Sequence, residues 1–406
     1  MNSRERRLVM RDLRSQMIRR TGEDFLEHME NFSVQPKFSA GVWFFAPGGG
    51  RFHDRYVPTM TIPEIIDITG PLAEYGLMGL EAHYPKEANE DNVGLYLELE
   101  RCTGIKLVMV GPMPFFEPEW EFGSLSSPIA KVHDAAVERI KKGLAFAKVI
   151  DALVVLWPGI DGYENSFGWD FYKMWDRFED GLAEAMDAVP GVRVAIEPKP
   201  YEPRGNNIYR NTPDGIIMAH DVESRLKSEE NKNILAEGHI MVGLNPEIGH
   251  VRMGFEDLPY AFSRVLRESR LAHTHWNSQP LGNYDQDLNV GVIEPDQAFA
   301  AMYALKMHGY SEYLGIDINP ERMPVTRALI NNIDRMRALI EETDAVDYEL
   351  VMACLEYPDE NRGVLEAYLT RFWHPDVAGL APMPEVKYRL YDHLEETQRI
   401  FGGIRV

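Results

Sequence analysis

Short apolar runs alternate along this chain with longer stretches in which apolar residues recur at three- and four-residue spacing. From residue 62 the order reads helix 62–75, strand 78–84, helix 88–101, strand 106–111, helix 127–149, strand 152–157, helix 168–187 and strand 192–197. It continues with helices within 212–236, strand 240–246, helix 256–268, strand 271–276, helix 295–308 and strand 313–318. An earlier run, Phe38 to Phe45, ends in Pro47-Gly48-Gly49-Gly50, a loop in which glycine permits positive φ. Such alternation predicts parallel strands joined by crossover helices, and eight strands predict an α/β fold closed as a (β/α)8 TIM barrel. Residues 3 to 31 have helical spacing outside that core, and 322–406 read as helical with breaks at Pro358, Pro375 and Pro384. The expected organisation is an N-terminal helical segment over 1–35, a barrel over 36–325 and a C-terminal helical arm over 326–406.

Composition narrows the function classes. The chain has 406 residues, enough for a barrel and flanking segments, and its 45% hydrophobic content contains no run near the ~18 apolar residues of a membrane span. Sixty-four acidic against 42 basic residues give a net charge of -22, which repels nucleic-acid phosphates, so no nucleic-acid partner is expected. The start, Met1 to Arg7, is charged and leads into more charge, which reads as cytoplasmic. Cys102 and Cys354 are the two cysteines and imply neither a disulfide framework nor a thiolate metal site.

The stretch Ile196-Glu197-Pro198-Lys199-Pro200 concentrates the chemistry. Val192 to Ile196 is apolar, Glu197 and Lys199 follow two residues apart, and the prolines stop ladder pairing. Three later segments repeat the design, setting Glu247, His275 and Asp317 at the ends of short apolar runs, where the strands of a parallel barrel converge on one mouth. A single carboxylate at a strand end is more often ion-paired. Three carboxylates and an imidazole in register suit Mg²⁺, Mn²⁺ or Co²⁺ better than a thiolate-seeking ion.

A second set combines His250 with Asp285 and Asp287. An Asp-x-Asp pair on extended chain puts both carboxylates on one side; alone it is a common solvated turn, but beside His250, three residues after Glu247, it reads as a second metal site bridged by Glu247. Lys199 has two readings, charge balance or polarisation of a substrate oxygen. His83 is either a hydrogen-bonded structural residue or a proton donor and acceptor. Trp43, Trp120 and Trp157 stand at or beyond strand ends on the same mouth, as core or as flat walls for a sugar.

These motifs resemble the xylose isomerases from about Phe38 to Asp317. Glu197-Pro198-Lys199-Pro200 with Glu202-Pro203-Arg204, Asn245-Pro246-Glu247-Ile248-Gly249-His250 and Tyr284-Asp285-Gln286-Asp287-Leu288 look like that family's metal motifs almost letter for letter. The resemblance implies a barrel with a C-terminal arm that wraps a neighbouring subunit, a homotetramer or dimer, and aldose–ketose interconversion with two divalent cations. By carry-over, Glu197, Glu247, His275 and Asp317 would hold one cation, and Glu247, His250, Asp285 and Asp287 the other. Lys199 would hydrogen-bond the carbonyl oxygen, His83 would assist ring opening, and Asp287 would help to move the hydroxyl proton while a hydride shifts between C1 and C2. Trp43, Trp157 and Trp120 would wall a monosaccharide, with Phe52 a candidate to reach across from a partner subunit.

Three departures surround the sugar. His275 stands where xylose isomerases have Asp and resembles the ligand choice of rhamnose isomerases and ketose 3-epimerases. Tyr84-Pro85-Lys86 follows His83 where the family has three Asp residues, which leaves Glu81 or another group to orient the imidazole. Asn319 replaces a family Lys, and the segment between Pro200 and Glu247 is longer than usual. The expected function is an aldose–ketose isomerase whose sugar need not be xylose. A ketose epimerase is the alternative, and a non-catalytic sugar-binding barrel is a third reading that the intact ligand set opposes.

Overall fold

A computed structural model of the chain describes residues 23–45, 56–392 and 394. Those residues fall into two compact units, one spanning 33–340 and the other combining residues up to Phe32 with Glu341 onward.

The larger unit contains eight parallel strands among the described residues: β1 (Phe38–Gly41), β2 (Leu77–Tyr84), β3 (Lys106–Pro112), β4 (Leu153–Leu156), β5 (Val194–Ile196), β6 (Val242–Leu244), β7 (His275–Trp276) and β8 (Leu314–Ile316). Their order in the sheet is β6-β5-β4-β3-β2-β1-β8-β7. Parallel bridges Leu244 to Leu271 and Glu247 to His275 then join β6 to the β7 segment, so the sheet curls back on itself as the alternation predicts. The ladders are in register through Phe38–Leu314, Val154–Val194 and Val194–Val242. Because both faces of the strands are covered, they are buried along nearly their whole length, with Leu80, Ala82, Val110, Val154, Ala195, Leu244 and Ile316 inaccessible or nearly so. Each large aliphatic side chain so removed from water contributes about 1.5–3 kcal/mol.

Helices separate the strands: α1 (Glu23–Asn31, in the smaller unit), α2 (Ile62–Thr69), α3 (Val93–Thr103), α4 (Ala130–Ile150), α5 (Phe171–Ala188), α6 (Thr212–Arg225), α7 (Glu229–Ala236), α8 (Ile248–Met253), α9 (Leu258–Arg267), α10 (Pro295–Met307) and α11 (Val325–Asp344). Their starts follow local chemistry. Thr61 and Glu64 form a reciprocal capping box on α2, and the side chains of Asn211 and Asp257 accept hydrogen bonds from Asp214 N and Tyr260 N to begin α6 and α9. A two-residue antiparallel ladder, Gly162–Tyr163 with Asn206–Asn207, ties the loop after β4 to the loop after β5.

Two expectations change. The first strand run stops at Gly41 and turns into a 3-10 helix over Trp43–Phe45, which swings the Trp43 ring inward. In the C-terminal region α11, α12 (Tyr348–Glu356) and α13 (Pro358–Trp373) are helical, and the described residues 374–392 carry no helix. Pro375, Pro382 and Pro384 deprive that stretch of amide donors. Pro358 sits in the first turn of α13, where its missing N–H costs nothing. Residues 1–22 of the expected N-terminal helices, the triple-glycine loop and Phe52 lie outside the described residues.

Candidate metal centre

The geometry of the site is set by where the strands end. Glu197 follows β5 directly, Asn245 and Glu247 follow β6, His275 lies in β7 and Asp317 follows β8. Their side chains meet: His275 Nδ1 is 2.9 Å from Glu197 Oε2 and 3.3 Å from Asp317 Oδ2. Glu197, Glu247, His275 and Asp317 each present one donor atom within 4.8 Å of the others, and Glu247, His250 and Asp285 form a second such group. In the second, His250 Nε2 is 3.2 Å from Glu247 Oε2 and 3.3 Å from Asp285 Oδ2. Glu247 belongs to both groups. Asp287 lies on the same cavity wall, and its Oδ1 accepts a 3.1 Å hydrogen bond from Asn277.

Neutral amides hold the carboxylates in place. Asn245 Nδ2 donates to Glu197 Oε2 at 2.7 Å, and Asn277 Nδ2 donates to Glu247 Oε1 at 2.8 Å while its Oδ1 accepts from Gly249 N. Gly249 is required there: a Cβ would lie 2.7 Å from Glu247 Oε1. This explains the glycine between Glu247 and His250. Lys199 is buried, its ammonium donating to Asp285 Oδ2 at 2.7 Å and lying 5.3 Å from the Trp157 ring centre.

So many buried carboxylates repel one another. Burial, then Asp285 and Asp287, push Glu247 far above the ordinary carboxylate range, and burial with Asp285 and Asp317 does the same to Asp287. Asp317 is pushed up to about 6 by burial, with His275 opposing. Burial also works against Asp285 ionising, yet Lys199 and His250 hold it below its usual range, and burial of Lys199 is outweighed by Asp285 and its neighbours, which raise the ammonium. The cluster therefore has to take up protons or cations. His250 Nδ1, His275 Nδ1 and Asp285 Oδ1 are buried without a well-aligned hydrogen-bond partner, and the carboxylate of Glu197 lies 3.5 Å from the first nitrogen and 2.9 Å from the second. Hard oxygens, two imidazoles and unsatisfied lone pairs fit divalent cations of the Mg²⁺, Mn²⁺ or Co²⁺ kind.

The groups open into a cavity of ≈ 370 Å³ whose other walls include Trp43, His83, Phe115, Phe116 and Trp157. Trp43 Nε1 donates to Asp317 Oδ1 at 2.8 Å, and Phe115 stands edge-on to Trp157 with ring centres 4.9 Å apart. His83 is oriented by Glu87: Nδ1 is 2.9 Å from Glu87 Oε2, and the His83 amide donates to the same oxygen. Of the two possibilities, Glu81 or another group, the structure has the second, and Glu81 faces His273 and His275.

Two further substrate-binding candidates, Trp120 and Asn319, are not among the residues that line this cavity. Trp120 is fully buried, its Nε1 donating to Glu117, and the Asn319 side chain accepts from Glu321 N while its backbone N–H donates to Asp287 O. Phe115, Glu87 and Asn277 carry no sequence motif that marks them for these places; a Glu four residues after a strand-end His is the available signal for Glu87.

An eight-stranded parallel barrel with carboxylates and imidazoles gathered at the strand ends defines a class of metal-site barrels. The sequence model of the xylose isomerase-like TIM barrel family matches residues 71–341, and the chain belongs to that family. The xylose isomerase of Thermus thermophilus is 26% identical over 292 residues, covering 68% of this chain and 70% of that protein. Among solved structures, the IOLI protein with a binding zinc atom superposes with a TM-score of 0.54 at 13% identity, covering 76% of this chain and 100% of that one. D-Psicose 3-epimerase in the presence of D-fructose gives 0.52 at 12% identity, covering 74% and 97%. At those identities the superpositions speak to the fold. No helix among the described residues is long and apolar enough to cross a membrane.

Proposed function

We propose that the protein is a two-cation aldose–ketose isomerase acting on an open-chain monosaccharide. The observation that carries this reading is Glu247 shared between two donor groups at the floor of one aromatic-walled cavity. Glu197, Glu247, His275 and Asp317 would hold one cation, and Glu247, His250, Asp285 and Asp287 the other. When bound, the pair would polarise the oxygens on neighbouring sugar carbons. The residues of the chain do the rest. Trp43, Phe115 and Trp157 exclude water and offer flat faces to the C–H side of a sugar. Lys199 places a buried positive charge at the rim of the second group, where it hydrogen-bonds the substrate oxygen. His83, oriented by Glu87, moves a proton during ring opening, and Asp287 moves the hydroxyl proton.

Ketose epimerisation is the second reading, favoured by the imidazole of His275 in the first group and by the engagement of Asp285 with Lys199 at 2.7 Å, which ties up one donor of the second. Stripping the protein with a chelator and restoring Mn²⁺, Mg²⁺ or Co²⁺ on a panel of pentoses and hexoses tests both. Isomerisation moves the carbonyl, whereas epimerisation inverts one carbon and leaves it in place. Failure to convert any sugar after restoration overturns the enzyme reading.

A further inference from the structure

Glu81, in the middle of β2, is fully buried in the barrel interior and contributes to neither donor group of the proposed cation pair. Its Oε2 lies 2.8 Å from Nε2 of His275, on the opposite side of that ring from Nδ1, which faces Glu197 and Asp317. Its Oε1 accepts from Ser39 Oγ at 2.6 Å and lies 3.0 Å from Nε2 of His273. The carboxylate thus reaches from β2 past β1 and β8 to β7. It does so because Gly315, paired with Ser39 on one side and His275 on the other, has no side chain: a Cβ there would stand 2.6 Å from Glu81 Oε1 and 2.7 Å from His273 Nε2.

We propose that Glu81 is a positioning residue that fixes His275 as the Nε2–H tautomer, so that Nδ1 presents its lone pair to the first cation, with Ser39 and His273 pinning the other carboxylate oxygen. This rests on the two-cation reading. A ligating imidazole has one free nitrogen, and a carboxylate hydrogen-bonded to that nitrogen sets the ring plane and raises the basicity of the ligating one. Ser39 Oγ and both imidazoles occupy the Glu81 oxygens at hydrogen-bonding distance, and with His273 and His275 Glu81 forms a donor group apart from the other two. Its effect on the cation is transmitted through the ring.

The test measures the two stepwise cation affinities of the full chain by Mn²⁺ and Co²⁺ competition against a chromophoric chelator. Wild type is expected to hold two cations. Glu81→Ala should weaken one by about 100-fold and Glu81→Gln, which keeps an acceptor oxygen and the shape, by about 10-fold, leaving the other affinity unchanged. The Co²⁺ visible spectrum should change in Glu81→Ala, and imidazole nitrogen resonances of the Zn²⁺-loaded wild type should show His275 protonated at Nε2. Unchanged affinities in Glu81→Gln, or a lowered melting temperature with both affinities and the spectrum intact, overturn the proposal while leaving the cation pair standing. A third cation in wild type also overturns it, because Glu81, His273 and His275 would then be ligands in their own right. Wild type that holds no cation pair overturns the underlying reading instead.

Discussion

At the scale of single residues, backbone space and charge decide most of the site. Gly249→Ala places a methyl group against Glu247 Oε1 and should displace the shared carboxylate, weakening both cations at least about 10-fold with the helical circular dichroism unchanged. Titration of cation binding checks it. Away from the site, Glu179 of α5 accepts hydrogen bonds from Tyr209 and from Arg225 at 2.6 Å, yet burial pushes its carboxyl up to about 7. Arg225 divides its charge among Glu179, Asp176 and Asp180, which is why so close a pair does not restore ordinary acidity. The folded value exceeds the unfolded one of about 4.3, so the folded protein binds the extra proton between them and the stabilisation, full at low pH, is lost as pH rises through 7. Glu179→Gln should therefore flatten the fall in stability between pH 5 and 8 by about 1–2 kcal/mol, read from urea midpoints across that range.

Glu197, Glu247, His275 and Asp317 were legible because each ends an apolar run, and His250, Asp285 and Asp287 through their spacing from Glu247 and from one another; the structure brings the seven side chains to one cavity. Glu87 and Glu81 were not, because both carboxylates are near His83 in sequence and only the turn after β2 decides that Glu87 folds back while Glu81 points across the interior. Trp120 carries the same sequence signal as Trp157 but lies in a 3-10 turn whose Glu117 captures its N–H.

At the scale of elements, the alternation predicted every barrel strand, with ends shifted by a few residues where loops continue an apolar run. In the C-terminal region helix runs to Trp373 as the spacing predicts, and the described residues 374–392, where prolines remove donors, carry none. Loop geometry around the mouth depends on the ladder of Gly162–Tyr163 with Asn206–Asn207. A Cβ at Gly162 would meet Asn206 O at 2.2 Å, so Gly162→Ala should open that ladder and lower stability by about 2 kcal/mol, seen as an earlier denaturation midpoint. Asn211→Ala removes the α6 cap and should cost about 1 kcal/mol in the same assay.

For the whole molecule, cations held by the buried acidic cluster would link folding to metal. Ions that bind the folded chain alone stabilise it by about 2.7 kcal/mol at one hundred times the dissociation constant, so a chelator should lower the melting temperature and Mn²⁺ should restore it. Unchanged melting would mean the donors hold no ions. The seam between β6 and the β7 segment would carry that coupling: it is fastened by two isolated bridges, and one of them joins Glu247 to His275. The last stave of the cylinder is thus riveted by the same pair that would grip the metal, and amide exchange at Leu244, Ala272 and His275 should slow sharply on loading while the β2–β3 ladder hardly responds.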